Sequence, residues 1–167
     1  HALLRGPVRE LAARLDGRFD IVAGVLSSNA EKARREGAGG GLSPERSYGS
    51  VDEMIAAETR RPDGIEAVAV MTPNDSHFRI AHAAIAAGLD VICDKPLTND
   101  PAEADALAQA AARAGVATAV THNYTGYPMI RQARALVEAG AVGTVRLVQV
   151  EYLGAGLALK VEDTAEA

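Results

Sequence analysis

The sequence predicts an α/β protein built on a doubly wound parallel sheet. Helical and strand-like segments alternate along the 167 residues. The connections between them are short, which calls for parallel strands joined by right-handed crossovers. The run from Ile65 to Met71 is nearly continuous apolar, as a strand buried on both faces reads. Alanine and glycine are abundant and there is no tryptophan, so helices can lie close on a sheet.

The elements follow in order. Val8, Leu11, Ala12 and Leu15 form one apolar helix face, and Gly17 stands where a helix ends. Phe19 to Leu26 reads as a strand. Ser28 and Glu31 have capping-box spacing and open a helix that runs to about Gly37. Gly37 to Gly41 is glycine-rich, but a phosphate loop follows a strand and opens a helix. This run follows a helix and leads to Ser43-Pro44, so it reads as a flexible loop. Ser50 with Glu53 repeats the capping spacing, and Val51, Met54 and Ile55 give a short amphipathic helix. Thr72-Pro73-Asn74 breaks the Ile65 strand.

A helix follows with Phe78, Ala81 and Ile85 inward, closed by Gly88. Asp90 to Cys93 is the next strand, stopped by Asp94-Lys95-Pro96. Asp100-Pro101 starts a helix with proline at its first position. That helix turns Ala104, Leu107, Ala108 and Ala111 inward, and Gly115 ends it. Val116 to Val120 is a strand, Pro128 to Ala139 a helix ended by Gly140, and Val145 to Leu153 a final strand of mixed polarity that begins a second unit. Gly154 to Ala167 has no core pattern.

Composition narrows the function. Hydrophobic residues at 48% and charged residues at 23% are those of a globular protein. No apolar run is long enough to span a membrane, and no charged-then-apolar leader marks secretion. A net charge of -5 without a basic stripe argues against nucleic acid as a partner. The single cysteine, Cys93, reads as a small buried hydrophobe and cannot form an internal disulfide. A reducing compartment, the cytoplasm, is expected.

Candidate chemistry gathers at three strand ends: Thr72-Pro73-Asn74-Asp75-Ser76-His77, Asp94-Lys95-Pro96, and Thr121-His122-Asn123-Tyr124. If the strands are parallel, these polar sets share the sheet edge where ligands bind. Lys95, held there and partly desolvated, could donate or accept a proton. Taken alone, the same stretch also reads as a surface lysine before a proline. His77 and His82 lack zinc spacing with a helical glutamate, so no metal is expected. His82 reads as a packing or surface residue, and His122 as a neighbour of the pocket.

Thr72-Pro73-Asn74 with His77, then Ala87-Gly88, then Asp94-Lys95-Pro96-Leu97, resembles the Gfo/Idh/MocA family of nicotinamide-dependent oxidoreductases. The likeness runs from about Gly6 to about Tyr152. One departure is Asp94, where glutamate is commoner. The resemblance implies a Rossmann-like fold. It also implies an enzyme that uses NAD or NADP to oxidise a hydroxyl of a sugar, cyclitol or related polyol.

By the resemblance, Lys95 matches the family's active-site lysine, and Asp94 and Pro96 complete its motif, whose proline bond is often cis. Thr72, Pro73 and Asn74 match the loop under the cofactor's ribose and pyrophosphate. His77 matches the helix-entry histidine, and Asn123 the asparagine near the nicotinamide. Tyr124-Thr125 departs from the family's aromatic-arginine pair, so that loop's substrate contacts do not carry over. Gly6 matches the last glycine of the phosphate-binding turn. Ser27 and Ser28 stand where an acid would select NAD. With Lys32, Arg34 and Arg35 following, this leans toward NADP, although the same cations also read as a solvated helix face.

The resemblance also divides the chain. Residues 1–124 are expected to be a nucleotide-binding domain lacking its first strand, and 125–143 a connecting helix. Residues 144–167 are expected to begin a truncated α+β domain for substrate and oligomerisation. On this reading the chain is a fragment, inactive alone, of a homo-oligomeric parent. Two other functions fit the same motifs: a redox-neutral glycoside hydrolase that uses bound NAD transiently, and a non-catalytic nucleotide-binding module.

Overall fold

The computed structural model describes residues 12, 15 and 17–154. Most of the first expected helix, Gly6 and residues 155–167 lie outside them. Contacts divide the chain into two compact units, His1–His122 and Asn123–Ala167.

In the first unit Ile21 to Val25 are half-buried and precede α1 (Ala30–Gly39). The expected strand over Phe19 to Leu26 reduces to one parallel bridge, Gly24 with Ser47, and Phe19 and Leu26 are exposed. The α1 cap is Asn29 rather than Ser28: its side chain accepts from Lys32 N at 2.9 Å. Ser27 Oγ takes the N–H of Asn29 instead, at 3.2 Å. The expected glycine loop is half helical. Gly37 to Gly39 belong to α1, and only Gly41 takes a left-handed φ, of +88°. Gly37 is needed for packing, since a Cβ there would stand 2.4 Å from Ser47 Oγ.

α2 (Val51–Glu58) opens as its sequence requires, with Ser50 Oγ accepting from Glu53 N at 3.2 Å. A buried ionic cluster then links the preceding loop to this helix. Arg46 Nε donates to Glu58 Oε1 at 3.0 Å, Arg46 Nη2 pairs with Glu58 Oε2, and Tyr48 Oη donates to Glu58 Oε1 at 2.8 Å. Glu58 has no exposed surface. Burial alone would raise its carboxyl, but hydrogen bonds from Arg46 and Tyr48 and the nearby positive charge bring it below the usual range.

The sheet among the described residues is parallel, in order β1 (Ala67–Val70), β2 (Asp90–Cys93), β3 (Thr118–Val120). α3 (His77–Ala86) connects β1 to β2, and α4 (Pro101–Ala114) connects β2 to β3. α3 packs on both β1 and β2 and against α4. β1 buries Val68 and Val70 but exposes Ala69, so the described residues cover it on one face, where its apolar run implied cover on both. Val70, Val91, Cys93, Ile80, Ala81, Ala84 and Ile85 form the centre of the core. Each fully buried Val or Ile contributes about 1.5–3 kcal/mol. Asp100 caps α4 through Ala102 N at 2.8 Å, and Gly115 ends it with φ +70°. Leu107 and Ala111 are buried as expected, while Ala108 is exposed.

The second unit holds a 3-10 turn (Asn123–Gly126) and α5 (Pro128–Glu138), followed by Gly140 at φ +72°. The expected strand over Val145 to Leu153 is not a strand. Alternating polarity prepares a strand but does not form one. Its backbone needs a neighbour to complete the hydrogen bonds, and no strand among the described residues pairs with it.

Candidate active site

The three strands end in register. Val70 pairs with Cys93, and Cys93 with Val120. The residues after each strand therefore leave the sheet along one edge. The ladder continues one step, with Asp94 N donating to Val70 O at 2.9 Å and Thr121 N to Cys93 O at 3.0 Å. Thr72-Pro73-Asn74, Asp94-Lys95-Pro96 and Thr121-His122 thus gather at the carboxyl edge of a parallel sheet, where α/β folds place their ligands.

Each turn is fixed by its own chemistry. After β1, Ser76 Oγ donates to Pro73 O at 2.7 Å and pairs with Thr72 Oγ1 at 2.6 Å. Ser76 N also donates to Pro73 O at 3.0 Å, and the exposed Thr72-Pro73-Asn74 turn is held in one shape. After β2, the Lys95–Pro96 peptide bond is cis. Asp94 is buried, at 6% exposure, and its Oδ1 accepts from Thr121 Oγ1 at 2.7 Å. Thr121 was legible only as one polar residue past a strand; its bond to Asp94 depends on the sheet register.

His77 joins the first two turns. Its ring is wholly buried, with Nδ1 2.7 Å from Pro96 O and Nε2 2.8 Å from Thr72 O. An imidazole donates from one nitrogen when neutral and from two when protonated, so both carbonyls receive a proton only from the protonated ring. With no exposed surface, His77 meets a ligand only through the turns it holds.

Lys95 lies between these attachments. Its neighbours Asp94 and Pro96 are tied to Thr121 and His77, while the lysine is exposed and makes no hydrogen bond or ion pair among the described residues. Cys93, two residues before Lys95, is buried. Burial, then the neighbouring Asp94 charge, push its thiol up to about 11, so it stays a neutral thiol.

Other predicted residues are less gathered. Ser27 and Ser28 precede α1, half-buried and exposed, and no hydrogen bond links them to the Lys95 edge among the described residues. Asn123 follows Thr121 and His122 in the chain but begins the second unit. Gly6 lies outside the described residues. A cavity of about 430 Å³ opens at the other, amino-terminal end of the strands, lined by Glu58, Arg61, Asp63, Glu66 and Leu89 among others. Arg61 and Asp63 are paired there, Arg61 Nε donating to Asp63 Oδ1 at 3.0 Å. No group of three or more His, Cys, Asp or Glu among the described residues could hold a metal ion.

Comparison with known proteins gives this edge its context. A family model described as an oxidoreductase family with an NAD-binding Rossmann fold matches residues 8–122. The chain belongs to the Gfo/Idh/MocA oxidoreductase family. This Gfo/Idh/MocA chain is 38% identical, over 84% of its length, to the uncharacterized oxidoreductase YfiI of Bacillus subtilis (strain 168), of which it covers 36%. It is 33% identical, over 79% of its length, to the UDP-N-acetylglucosamine 3-dehydrogenase of Acidithiobacillus ferrooxidans, of which it covers 38%. It also matches the crystal structure of an inositol dehydrogenase homolog from Azotobacter vinelandii, complexed with NADH and myo-inositol. There the TM-score is 0.81 at 40% identity, over 84% of this chain and 37% of that one. The chain spans little more than a third of the length of these relatives.

Proposed function

We propose that the protein containing this chain is a dehydrogenase. It moves a hydride between a nicotinamide dinucleotide and the hydroxyl-bearing carbon of a sugar, cyclitol or related polyol. The observation that carries this reading is Lys95, exposed and without a hydrogen bond or ion pair among the described residues, between two tethered residues at the carboxyl edge of a parallel sheet. The names of two relatives point the same way, one a sugar-nucleotide dehydrogenase and the other an inositol dehydrogenase homolog holding myo-inositol.

When bound, the nicotinamide supplies hydride acceptance and donation. The chain's own residues do the rest. Thr72, Pro73 and Asn74 would hold the ribose and pyrophosphate. Asp94 and Pro96 fix the backbone on either side of Lys95. Lys95 would take the proton of the substrate hydroxyl during oxidation and return it during reduction.

For the cofactor, the reading admits NAD or NADP and leans weakly to NADP. Ser27 and Ser28 present no acid toward the ribose 2′-position. Of the following cations, Arg34 is engaged with Glu53 at 2.9 Å and Lys32 lies 3.7 Å from Glu36. Arg35 makes no ion pair among the described residues and could meet a 2′-phosphate. Titrating both dinucleotides against the protein tests the lean, and much tighter NAD binding sinks it.

The activity is tested by incubating a catalytically competent protein that contains this chain with either dinucleotide and myo-inositol or a panel of sugars. Net formation of reduced nicotinamide supports a dehydrogenase. Cleavage of a glycoside with no net reduced nicotinamide would instead assign a redox-neutral hydrolase, and binding with no turnover a non-catalytic module.

A further inference from the structure

We infer that His77 is a positioning residue for Lys95, a buried clamp that fixes the Lys95 turn by holding the Thr72 and Pro96 carbonyls together. The inference rests on the proposed role of Lys95. His77 stands at the start of α3, directly after the 3-10 turn Asn74–Ser76, so its backbone is anchored on a helix packed into the core. Its ring has no exposed surface, which removes direct contact with substrate or cofactor. Both ring nitrogens are committed instead, to Pro96 O at 2.7 Å and Thr72 O at 2.8 Å. These carbonyls belong to the turns after β1 and β2, and Pro96 is covalently next to Lys95.

The alternative is a histidine that only fills the core. A space-filling role asks for volume and not for donors. Here an apolar residue would remove the polar partner that the Pro96 and Thr72 carbonyls share, beside the buried Asp94. The clamp differs in a second respect. It predicts that the loss is carried by Lys95, because a reacting group shifted by about 1 Å can lose on the order of 10²-fold in rate.

The test is a double-mutant cycle in a catalytically competent protein that contains this chain. His77→Met removes both ring nitrogens at similar volume. His77→Asn keeps an amide too short to reach both carbonyls, and His77→Gln carries two N–H groups on a longer arm. The expected result is a kcat at least about tenfold lower in the folded Met and Asn variants, partial rescue in Gln, and little change in KM for the polyol. In a Lys95→Ala background, His77→Asn should lower kcat no further, because its effect passes through the lysine. Wild-type kcat in folded His77→Asn overturns the clamp, and so does a loss that multiplies in the double variant. If the Met variant does not fold, the Asn variant still decides. Failure of the Lys95 role itself is read separately, as wild-type turnover in Lys95→Ala with His77 intact.

Discussion

Thr121 Oγ1 donates to Asp94 Oδ1 across 2.7 Å, joining the ends of two adjacent parallel strands through residues 27 positions apart. Asp94 is buried at 6% exposure. Thr121→Val keeps the shape and removes the donor, and should destabilise by roughly 1.5–3 kcal/mol, the range for hydrogen bonds to charged groups. Urea unfolding checks it: the midpoint should fall with the slope unchanged. Thr121→Ser should restore most of the loss, and a Val variant as stable as wild type would remove the bond from the account.

That bond also marks what was legible in the sequence. Elements set by local chemistry were readable. Ser50 caps α2, Asp100-Pro101 opens α4, and Gly115 closes it with the left-handed φ expected of it. The three polar strand ends were readable too, because short connections force parallel strands and parallel strands put their carboxyl ends on one edge. Contacts that depend on register were not. Neither His77 with Pro96 nor Thr121 with Asp94 follows from spacing, since the partners meet only once Val70, Cys93 and Val120 are aligned. Local errors had local causes. Asn29 outcompeted Ser28 for the cap of α1, and Val145 to Leu153 alternates in polarity without a paired neighbour among the described residues.

The Arg46–Glu58 pair gives a pH prediction. The folded-state carboxyl of Glu58 lies below its ordinary value because Arg46 and Tyr48 outweigh the burial that would raise it. Its stabilisation is therefore complete above the ordinary carboxylate value and is lost as pH falls through the lowered folded one. Breaking a buried pair costs about 3–5 kcal/mol, so Glu58→Gln should lose stability in that range at neutral pH. Repeating the unfolding on the acid side should shrink the difference between wild type and variant. A difference that stays constant with pH would contradict the assignment.

Cys93 should be chemically silent in the folded protein. Its thiol is buried and pushed up to about 11, first by burial and then by Asp94, while the thiolate is the reactive form. A chromogenic disulfide reagent at neutral pH should register no thiol until denaturant is added, and one per chain afterwards. Rapid labelling of folded protein would show that β2 opens at its carboxyl end.

Lys95 is the centre of the account, and one comparison tests it most directly: kcat and dinucleotide affinity of Lys95→Ala beside wild type, in a catalytically competent protein that contains this chain. General acid–base catalysis contributes about 10²–10⁴-fold, so kcat should fall within that range. Dinucleotide affinity should change by less than about threefold, under the 1.4 kcal/mol that a tenfold change represents. Turnover equal to wild type would contradict the assignment of the proton to Lys95.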